Sequence, residues 1–182
     1  MFPARLKRGF TLVELLVVVA ILGILAAILI LAINPAEAQR KSRDATRLSD
    51  LATVRQAVDL SISEGAVLSG TALAPFTGTS AGSRDTTAVG NWVGIIVSDY
   101  LSVLPIDPRQ NAVDTTLLTD GTTTIAAGGM VYTFVSNGST YELNAYLEAT
   151  DNAPFVINDG GDQALRFELG TEPGLDLSSA TP

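Results

Sequence analysis

The sequence predicts an α+β fold, in which one long N-terminal helix packs on a small antiparallel β-sheet. An uncharged apolar run occupies residues 15–33, and residues 36–63 continue without any glycine or proline. Two segments with alternating apolar and polar residues, 130–135 and 141–147, flank a turn and carry the strongest strand signal. A pattern of helices followed by a cluster of strands is typical of the α+β class.

The apolar run is long enough to cross a membrane. As a helix, its 19 residues span roughly 28 Å, about the thickness of one hydrocarbon core. Glu14 immediately precedes the run, although an acidic residue at the centre of a membrane helix is unfavourable by roughly 2.5–3.5 kcal/mol. Gly23 and Ala27, four residues apart, would let two such helices approach closely. Residues 10–33 are therefore predicted to form a transmembrane helix with one carboxylate that needs a partner.

The residues alone leave three interpretations of this N-terminal segment open. A secretory signal peptide has a shorter apolar core and a small-residue cleavage site, a pattern that Ala36-Glu37-Ala38 matches. A plain membrane anchor fits the length of the run but gives Glu14 no role. A third interpretation has to explain the basic leader, the glycine that ends it and Glu14 together.

The third interpretation comes from a family resemblance. The motif Lys7-Arg8-Gly9-Phe10-Thr11-Leu12-Val13-Glu14, followed by the apolar run, resembles the class III signal peptide of type IV prepilins. The resemblance implies a prepilin leader at residues 1–9, cleavage by a prepilin peptidase between Gly9 and Phe10, and N-methylation of Phe10. It also implies that Glu14 pairs with the Phe10 amine of an adjacent subunit during assembly, which would set the register between helices. Thr11 is a candidate to support the local backbone. A Glu14 side chain that reaches the lipid headgroups is the alternative.

Basic residues stand on both sides of the apolar run. Arg5, Lys7 and Arg8 precede it, and Arg40, Lys41, Arg43 and Arg47 follow it. The positive-inside rule therefore does not decide the orientation, and only the resemblance places the leader in the cytoplasm. We interpret the second group as a solvated helix face with intrahelical acidic partners. Contact with lipid phosphates or with the acidic faces of neighbouring subunits is the alternative.

After an interruption, an amphipathic stalk helix is predicted at residues 34–64. Pro35 either kinks the helix or takes the first position of a new helix that is capped by Asn34. Five apolar residues recur at spacings of three and four and so share one helix face: Leu48, Leu51, Val54, Val58 and Ile62. We expect this face to pack on the C-terminal domain and Gly65 to end the helix.

Residues 65–129 are predicted to form a polar loop region with one short helix near 93–102, for which a buried strand is the alternative. The first half of this region ends at Leu104-Pro105-Ile106-Asp107-Pro108, where two prolines favour extended or turn backbone. Residues 100–108 are similar to the segment that precedes the sheet in major pseudopilins of type II secretion and in related bacterial pilins. A Trp-Gly-aromatic stretch often follows there, whereas Arg109-Gln110-Asn111 follows here.

An antiparallel sheet is predicted at residues 130–170. Asn137-Gly138 is expected to form the turn of its hairpin, and a third strand is expected at 165–169. A hairpin alone is only marginally stable, so these strands need the amphipathic helix as cover. Residues 171–182 are predicted to form a flexible tail.

The composition excludes several classes of function. The chain has 11 basic and 19 acidic residues, and it has neither cysteine nor histidine. Eight basic residues remain without the leader, which gives a net side-chain charge of −11 and disfavours a general nucleic-acid surface. The paired cysteines of many Gram-negative pilins are absent, and so are the commonest metal ligand and general base. We find no catalytic constellation, so the chain is not expected to be an enzyme.

The acidic loop Asn158-Asp159-Gly160-Gly161-Asp162 could supply oxygen ligands to calcium, as a C-terminal loop does in some major pseudopilins. It lacks the full spacing of an EF-hand. We interpret the loop as a plain Asp-Gly turn and predict neither a metal nor a cofactor.

The resemblance implies a structural subunit of a type IV pilus-like filament, made as a prepilin and assembled through its hydrophobic N-terminal helix. Its partners would be copies of itself and other pilins, the prepilin peptidase and methylase, an inner-membrane assembly platform and membrane lipid. It would be a single-pass inner-membrane protein before assembly and part of a cell-surface filament afterwards. The alternatives are a major pseudopilin of a type II secretion system and a membrane-anchored domain that never polymerises.

Overall fold

A computed structural model describes residues 9–177 of the chain, except for the side chains of residues 31–33. The described chain divides into two units, with the boundary between Ala38 and Gln39. The predicted α+β class is confirmed by the order of its helices and strands. The predicted leader, apart from Gly9, and residues 178–182 of the predicted tail lie outside the described residues.

Helices α1 (Leu12–Ile33) and α2 (Pro35–Ser63) follow each other with one residue between them. Asn34 ends α1 in the left-handed backbone region, with φ of 44°, which asparagine tolerates better than most residues. Its carbonyl oxygen accepts a hydrogen bond from the amide of Glu37 at 3.1 Å, and its side-chain oxygen accepts from the same amide at 3.4 Å. Of the two alternatives for Pro35, the structure therefore has a new helix that begins at proline and is capped by Asn34.

Helix α2 buries one apolar face in the core of the C-terminal unit. The buried apolar residues of this face are Leu51, Val54, Ala57 and Val58. Full burial of one such valine or leucine side chain contributes about 1.5–3 kcal/mol to folding. Gly65 follows the helix with φ of 100°, and the amide of Ala66 donates to the carbonyl of Ser61 at 2.9 Å. The predicted amphipathic helix and its glycine stop are confirmed.

Within residues 9–177, seven short strands follow α2. They are β1 (Gly70–Thr71), β2 (Ala74–Thr79), β3 (Thr116–Leu117), β4 (Thr124–Ile125), β5 (Thr133–Ser136), β6 (Tyr141–Tyr146) and β7 (Arg166–Gly170). Five of them form one antiparallel sheet in the order β1-β2-β5-β6-β7, while β3 and β4 pair with each other. A 3₁₀ turn at Thr150–Asn152 and the short helix α3 (Ala153–Ile157) lie between β6 and β7 along the chain.

One face of the main sheet packs on α2. Phe134 on β5 and Leu143 on β6 are fully buried in the same core as the apolar face of the helix. Tyr132 donates a hydrogen bond to Asp50 of α2 at 2.8 Å. Tyr141 likewise bonds Asp59 at 2.5 Å. Burial, reinforced by these carboxylates, raises the pKa of both tyrosines, so each hydroxyl keeps the proton that it donates.

The β5–β6 hairpin is confirmed, with Asn137-Gly138 in its turn. Ser136 pairs with Tyr141, so four residues connect the strands instead of the two that Asn-Gly favours. The side-chain oxygen of Asn137 accepts hydrogen bonds from the amides of Ser139 at 2.9 Å and Thr140 at 2.8 Å. These bonds stabilise the wider loop because they satisfy amides that a two-residue turn would not expose.

Strand β2 lies in the region that was predicted to be a loop, and that prediction is wrong for residues 74–79. The strand has only one bulky apolar side chain, Phe76, which packs edge-on against Phe134 with ring centroids 6.3 Å apart. A Cβ atom on Gly78 would lie 2.2 Å from the carbonyl oxygen of Trp92, so the close approach there requires glycine. Long-range pairing, and not local hydrophobic alternation, makes this segment a strand.

The predicted short helix near 93–102 is also wrong, because these residues form consecutive turns. Asn91 accepts from the amide of Val93 at 3.1 Å and donates to the carbonyl of Ile95 at 2.7 Å, so its side chain takes backbone groups that a helix would use. Gly94 has φ of 70°, which also interrupts a right-handed helix. Val93, Ile95 and Val97 are buried all the same, as is the preceding Trp92, whereas Ile96 is exposed.

The predicted flexible tail is wrong for residues 171–177, which return across the sheet. The amide of Thr171 donates to the carbonyl of Tyr141 at 3.0 Å, and Leu175 is buried. The amide of Leu177 donates to the Glu142 carboxylate at 2.9 Å. One apolar side chain and these hydrogen bonds hold the segment, although its composition alone indicates a loop.

A buried ion network joins α2 to two distant parts of the chain. The fully buried guanidinium of Arg47 donates to Asp44 at 2.7 Å and to Asp107 at 2.6 and 3.0 Å. It also lies 2.7 Å from the carboxylate of Glu148. Burial disfavours the charged guanidinium, but the carboxylates of Asp107 and Glu148 outweigh that effect and raise the pKa of Arg47 further above its ordinary value. Arg47 therefore remains a cation inside the protein.

The network also includes Arg43 and the backbone amides that follow β6. Asp44 accepts hydrogen bonds from the amides of Glu148 and Ala149, at 3.0 and 2.9 Å, and so caps the chain where it leaves β6. Arg43 bonds the Glu148 carboxylate at 2.8 and 2.5 Å. Burial opposes the ionisation of Glu148, but the hydrogen bond from Arg43 and the charge of Arg47 outweigh it and lower the pKa of that carboxyl.

The interpretation of the basic residues after the membrane segment as a solvated face is wrong for Arg43 and Arg47. Only one of the three carboxylates around Arg47 lies in its own helix; Asp107 is 60 residues away in sequence. Lys41 lies closer to solvent and forms a salt bridge with Asp151. The helical spacing of charges could not reveal these partners, because they come from other parts of the chain.

Replacement of Arg47 by alanine should lower the free energy of unfolding by about 3–5 kcal/mol, because it leaves buried carboxylates without a cation. Arg55→Ala is the matched control on the same helix: its ion pair with Asp59, at 3.6 Å, is exposed and should contribute less than about 1 kcal/mol. Urea unfolding of the full chain in detergent, followed by the fluorescence of the single tryptophan, measures both. Equal losses in the two variants would contradict the role given to the network.

Candidate processing and assembly site

The predicted cleavage site lies in exposed chain just before α1. Gly9 and Phe10 have no regular secondary structure, and 76% of the Phe10 side chain is exposed. No atom lies within 4 Å of the position that a Cβ on Gly9 would occupy. Within the described part of the chain, the Gly9–Phe10 bond is therefore open to a peptidase.

Glu14 lies in the first turn of α1 and forms a capping box with Thr11. The Thr11 hydroxyl accepts from the amide of Glu14 at 3.1 Å and donates to its carboxylate at 2.7 Å. The same carboxylate oxygen, Oε2, accepts from the backbone amide of Thr11 at 2.9 Å. This arrangement satisfies two amides that the start of a helix leaves without intrahelical partners. The expectation that Thr11 supports the local backbone is confirmed.

The capping box explains why α1 begins where it does. A threonine followed three places later by a glutamate is the sequence signature of this motif, and it stands directly before the apolar run. The sequence motif includes both residues but does not by itself reveal their reciprocal hydrogen bonds. A carboxylate near a helix N-terminus is also stabilised by the helix dipole.

Every described side chain of α1 is exposed. The apolar side chains from Leu12 to Ile30 are between 46% and 79% exposed, with no polar stripe among them. Within residues 9–177, this is the one helix that is long and apolar enough to cross a membrane. A helix that is apolar all round belongs in lipid or inside a bundle of other helices, because water would be unfavourable on every face.

The acidic loop after α3 is a hydrogen-bonded turn. Asp159 accepts from the amide of Gly161 at 3.0 Å and from the amide of Glu168 at 2.8 Å, while Gly160 has φ of 94°. Among the described residues, no three acidic side chains are grouped as a metal site would require. The Asp-Gly turn that the sequence predicted is confirmed.

Comparison with known families bears on the N-terminal segment. The model of the prokaryotic N-terminal methylation motif matches residues 4–30, which include Gly9, Phe10, Thr11 and Glu14. The chain carries the class III signal peptide of type IV pilins and pseudopilins. No solved structure matches the chain significantly.

The match covers the N-terminal signal only, and it supports a type IV pilin-like or pseudopilin precursor. It implies processing by a prepilin peptidase and assembly with other pilins. Together with the exposed apolar helix, it is consistent with anchoring in a membrane. The basic leader, the glycine, the phenylalanine and the acidic residue thus belong to one signal.

Replacement of Thr11 by valine should weaken the start of α1 by about 1 kcal/mol, because it removes both hydroxyl hydrogen bonds of the capping box. The amide of Glu14 should then exchange its hydrogen about fivefold faster in the full chain in micelles. Thr11→Ser keeps the hydroxyl and should exchange at close to the original rate. If the valine and serine variants exchange equally fast, the hydroxyl does not cap the helix.

Proposed function

We propose that the mature chain is a structural subunit of an extracytoplasmic, type IV pilus-like filament. In this proposal the peptidase cuts after Gly9, the new N-terminal amine of Phe10 is methylated, and the subunit waits in the cytoplasmic membrane. An assembly platform then moves it into the base of the filament. The chain has a structural role in this scheme and not an enzymatic one.

One observation carries the proposal: α1 is apolar on all sides but carries a carboxylate, Glu14, in its first turn. This helix is not a core helix, because none of its described side chains is buried. Lipid satisfies its apolar surface before assembly, and the helices of neighbouring subunits would satisfy it in a filament. Only the second environment requires a specific partner for the carboxylate.

Glu14 would change partners during assembly. Before cleavage its Oε2 atom is bonded to Thr11, which satisfies it within the same chain. Cleavage creates an amine at Phe10, so each subunit then brings one cation and one anion into an apolar bundle. Pairing of Glu14 with the Phe10 amine of the next subunit neutralises both charges. It also rejects other axial registers, because a shifted helix would leave a charge unpaired in a medium of low dielectric constant.

The second step of the proposal is the choice of a pilus over a pseudopilus. The segment after Pro108 supports it, because Arg109-Gln110-Asn111 replaces the Trp-Gly-aromatic stretch found in many pseudopilins. Arg109 here donates to Thr116 at 2.9 Å and to Asp114 at 2.7 Å, so it holds the following polar loop in place of an aromatic anchor. A pseudopilin would lack long surface filaments, and its loss would abolish secretion instead.

The mature chain taken from its native membrane should begin at N-methylated Phe10. Intact mass and N-terminal sequencing decide this directly. Gly9→Val should leave the leader attached, because its branched side chain hinders the approach of the peptidase to the backbone, whereas Gly23→Val, within α1, should be cleaved normally. A native chain that begins at Met1 or at Gln39 would refute the processing route.

Glu14→Ala should be cleaved normally but should reduce the amount of sheared surface filament at least about tenfold, since a lost ion pair in an apolar site is worth several kcal/mol. Glu14→Gln tests the charge with little change in shape and should also fail. Glu37→Ala, which removes an acidic residue from the first turn of α2, is the control and should assemble. Normal filament yield from the Glu14 variants would exclude the proposed pairing.

A further inference from the structure

The face of the main sheet that points away from α2 is polar and yet buried. Glu142 and Asn144 of β6 and Glu168 of β7 are no more than 1% exposed. Asn144 and Glu168 are directly opposite each other in the β6–β7 register. The loop after α3 and the chain after β7 cover this face, as the hydrogen bonds to Glu168 and Glu142 show. Polar groups at such depth are normally all hydrogen-bonded.

Two buried oxygen atoms on this face, one on Asn144 and one on Glu168, take no part in the hydrogen bonds between these residues and their neighbours. The Asn144 amino group donates to Oε1 of Glu142 at 2.5 Å, and the amide of Gln163 donates to Oε2 of Glu168 at 2.9 Å. Among the described residues, Oδ1 of Asn144 and Oε1 of Glu168 are buried without a hydrogen-bond partner. Each is an acceptor while Glu168 is ionised, so neither can satisfy the other. An orphaned buried acceptor costs about 1–3 kcal/mol.

The charges around Glu168 are mostly negative. Glu142 faces it from β6, and Asp159 and Asp162 face it from the loop after α3. The nearest cation along β7 is Arg166, which donates to the hydroxyl of Tyr146 at 2.6 Å and lies 4.7 Å from the centre of that ring. Burial, followed by the three carboxylates, raises the pKa of Glu168 to about 8.

We propose that this face of the sheet is a proton-binding site, in which Glu168 holds one proton at neutral pH and donates it to the carbonyl oxygen of Asn144. The two orphaned oxygens then become one hydrogen bond between directly opposed side chains. One bound proton is still required if the oxygen and nitrogen of the Asn144 amide exchange positions. An amide that faces two carboxylates offers an amino group to one and an oxygen to the other, so the second carboxylate has to bring a proton.

The bound proton holds the cover of the sheet in place. A Cβ atom on Gly161 would lie 1.9 Å from Oε2 of Glu168, so the loop touches the carboxyl group and has no room for a bulkier residue. Loss of the proton places another negative charge beside Glu142, Asp159 and Asp162 in a buried site. Because the pKa of Glu168 is raised on folding, its contribution to stability is present below its ordinary value of 4.5 and is lost as the pH rises towards about 8.

The test is urea unfolding of the full chain in detergent micelles from about pH 5 to about pH 9, followed by tryptophan fluorescence. The unfolding constant of the wild type should rise about tenfold or more over this range, since one unit of pKa corresponds to a factor of ten. Glu168→Gln should abolish this part of the pH dependence, because its amide donates to Asn144 and does not titrate. Asp162→Asn in the same loop removes one of the three nearby negative charges, so it should move the dependence to slightly lower pH without abolishing it.

Infrared spectroscopy gives a second readout that a purely structural role would not produce. The wild type at neutral pH should show the carbonyl stretch of a protonated carboxylic acid, and Glu168→Gln should lack it. This measurement on the wild type, together with its pH titration, remains decisive if the glutamine variant does not fold.

Three results would overturn the proposal. The first is a wild type whose unfolding constant does not change between neutral and mildly alkaline pH. The second is a glutamine variant that keeps the full pH dependence or the infrared band. The third is stabilisation of the wild type by millimolar calcium, relative to EDTA, with loss of the infrared band, since a cation and not a proton would then join the two oxygens.

Discussion

Arg47 is buried among carboxylates from three parts of the chain: its own helix, the turn at Asp107 and the chain that leaves β6 at Glu148. Removal of such a cation from water is unfavourable by several kcal/mol, and only complete pairing offsets it. Any displacement of one segment would leave a buried charge without a partner. The network therefore restricts how α2, the proline-rich turn and the sheet can pack together.

The N-terminal unit, by contrast, is not stabilised by burial of its described side chains. Its helix α1 has no described side chain buried in the protein, so lipid or other subunits have to supply its environment. A single carboxylate in its first turn is satisfied locally by Thr11 and is positioned to accept another partner. The C-terminal domain is held together by contacts within the chain, whereas the described side chains of α1 are exposed. This combination suits a subunit that meets its partners only on assembly.

Acidic side chains behave differently in different parts of the fold because their neighbours differ. Next to Arg43 and Arg47, Glu148 has a lowered pKa and serves as a fixed anion. Among other carboxylates, Glu168 has a raised pKa and serves as a hydrogen-bond donor in the site that we propose. Burial acts to raise the pKa of both groups; at Glu148 the two arginines outweigh it, whereas at Glu168 the neighbouring carboxylates add to it. The sign of the nearest charges selects between the two outcomes.

The sequence by itself determined the features that depend on short-range patterns. The residues that we propose for processing and assembly, from Gly9 to Glu14, lie within one contiguous motif, and the ends of α2 follow from Pro35 and Gly65. Tertiary structure decided what depends on distant neighbours. Strand β2 forms because β5 pairs with it, and residues 93–102 form turns because Asn91 takes their backbone groups. The partners of Arg47 and the proton site at Glu168 join segments that only folding brings together, so no local pattern could predict them.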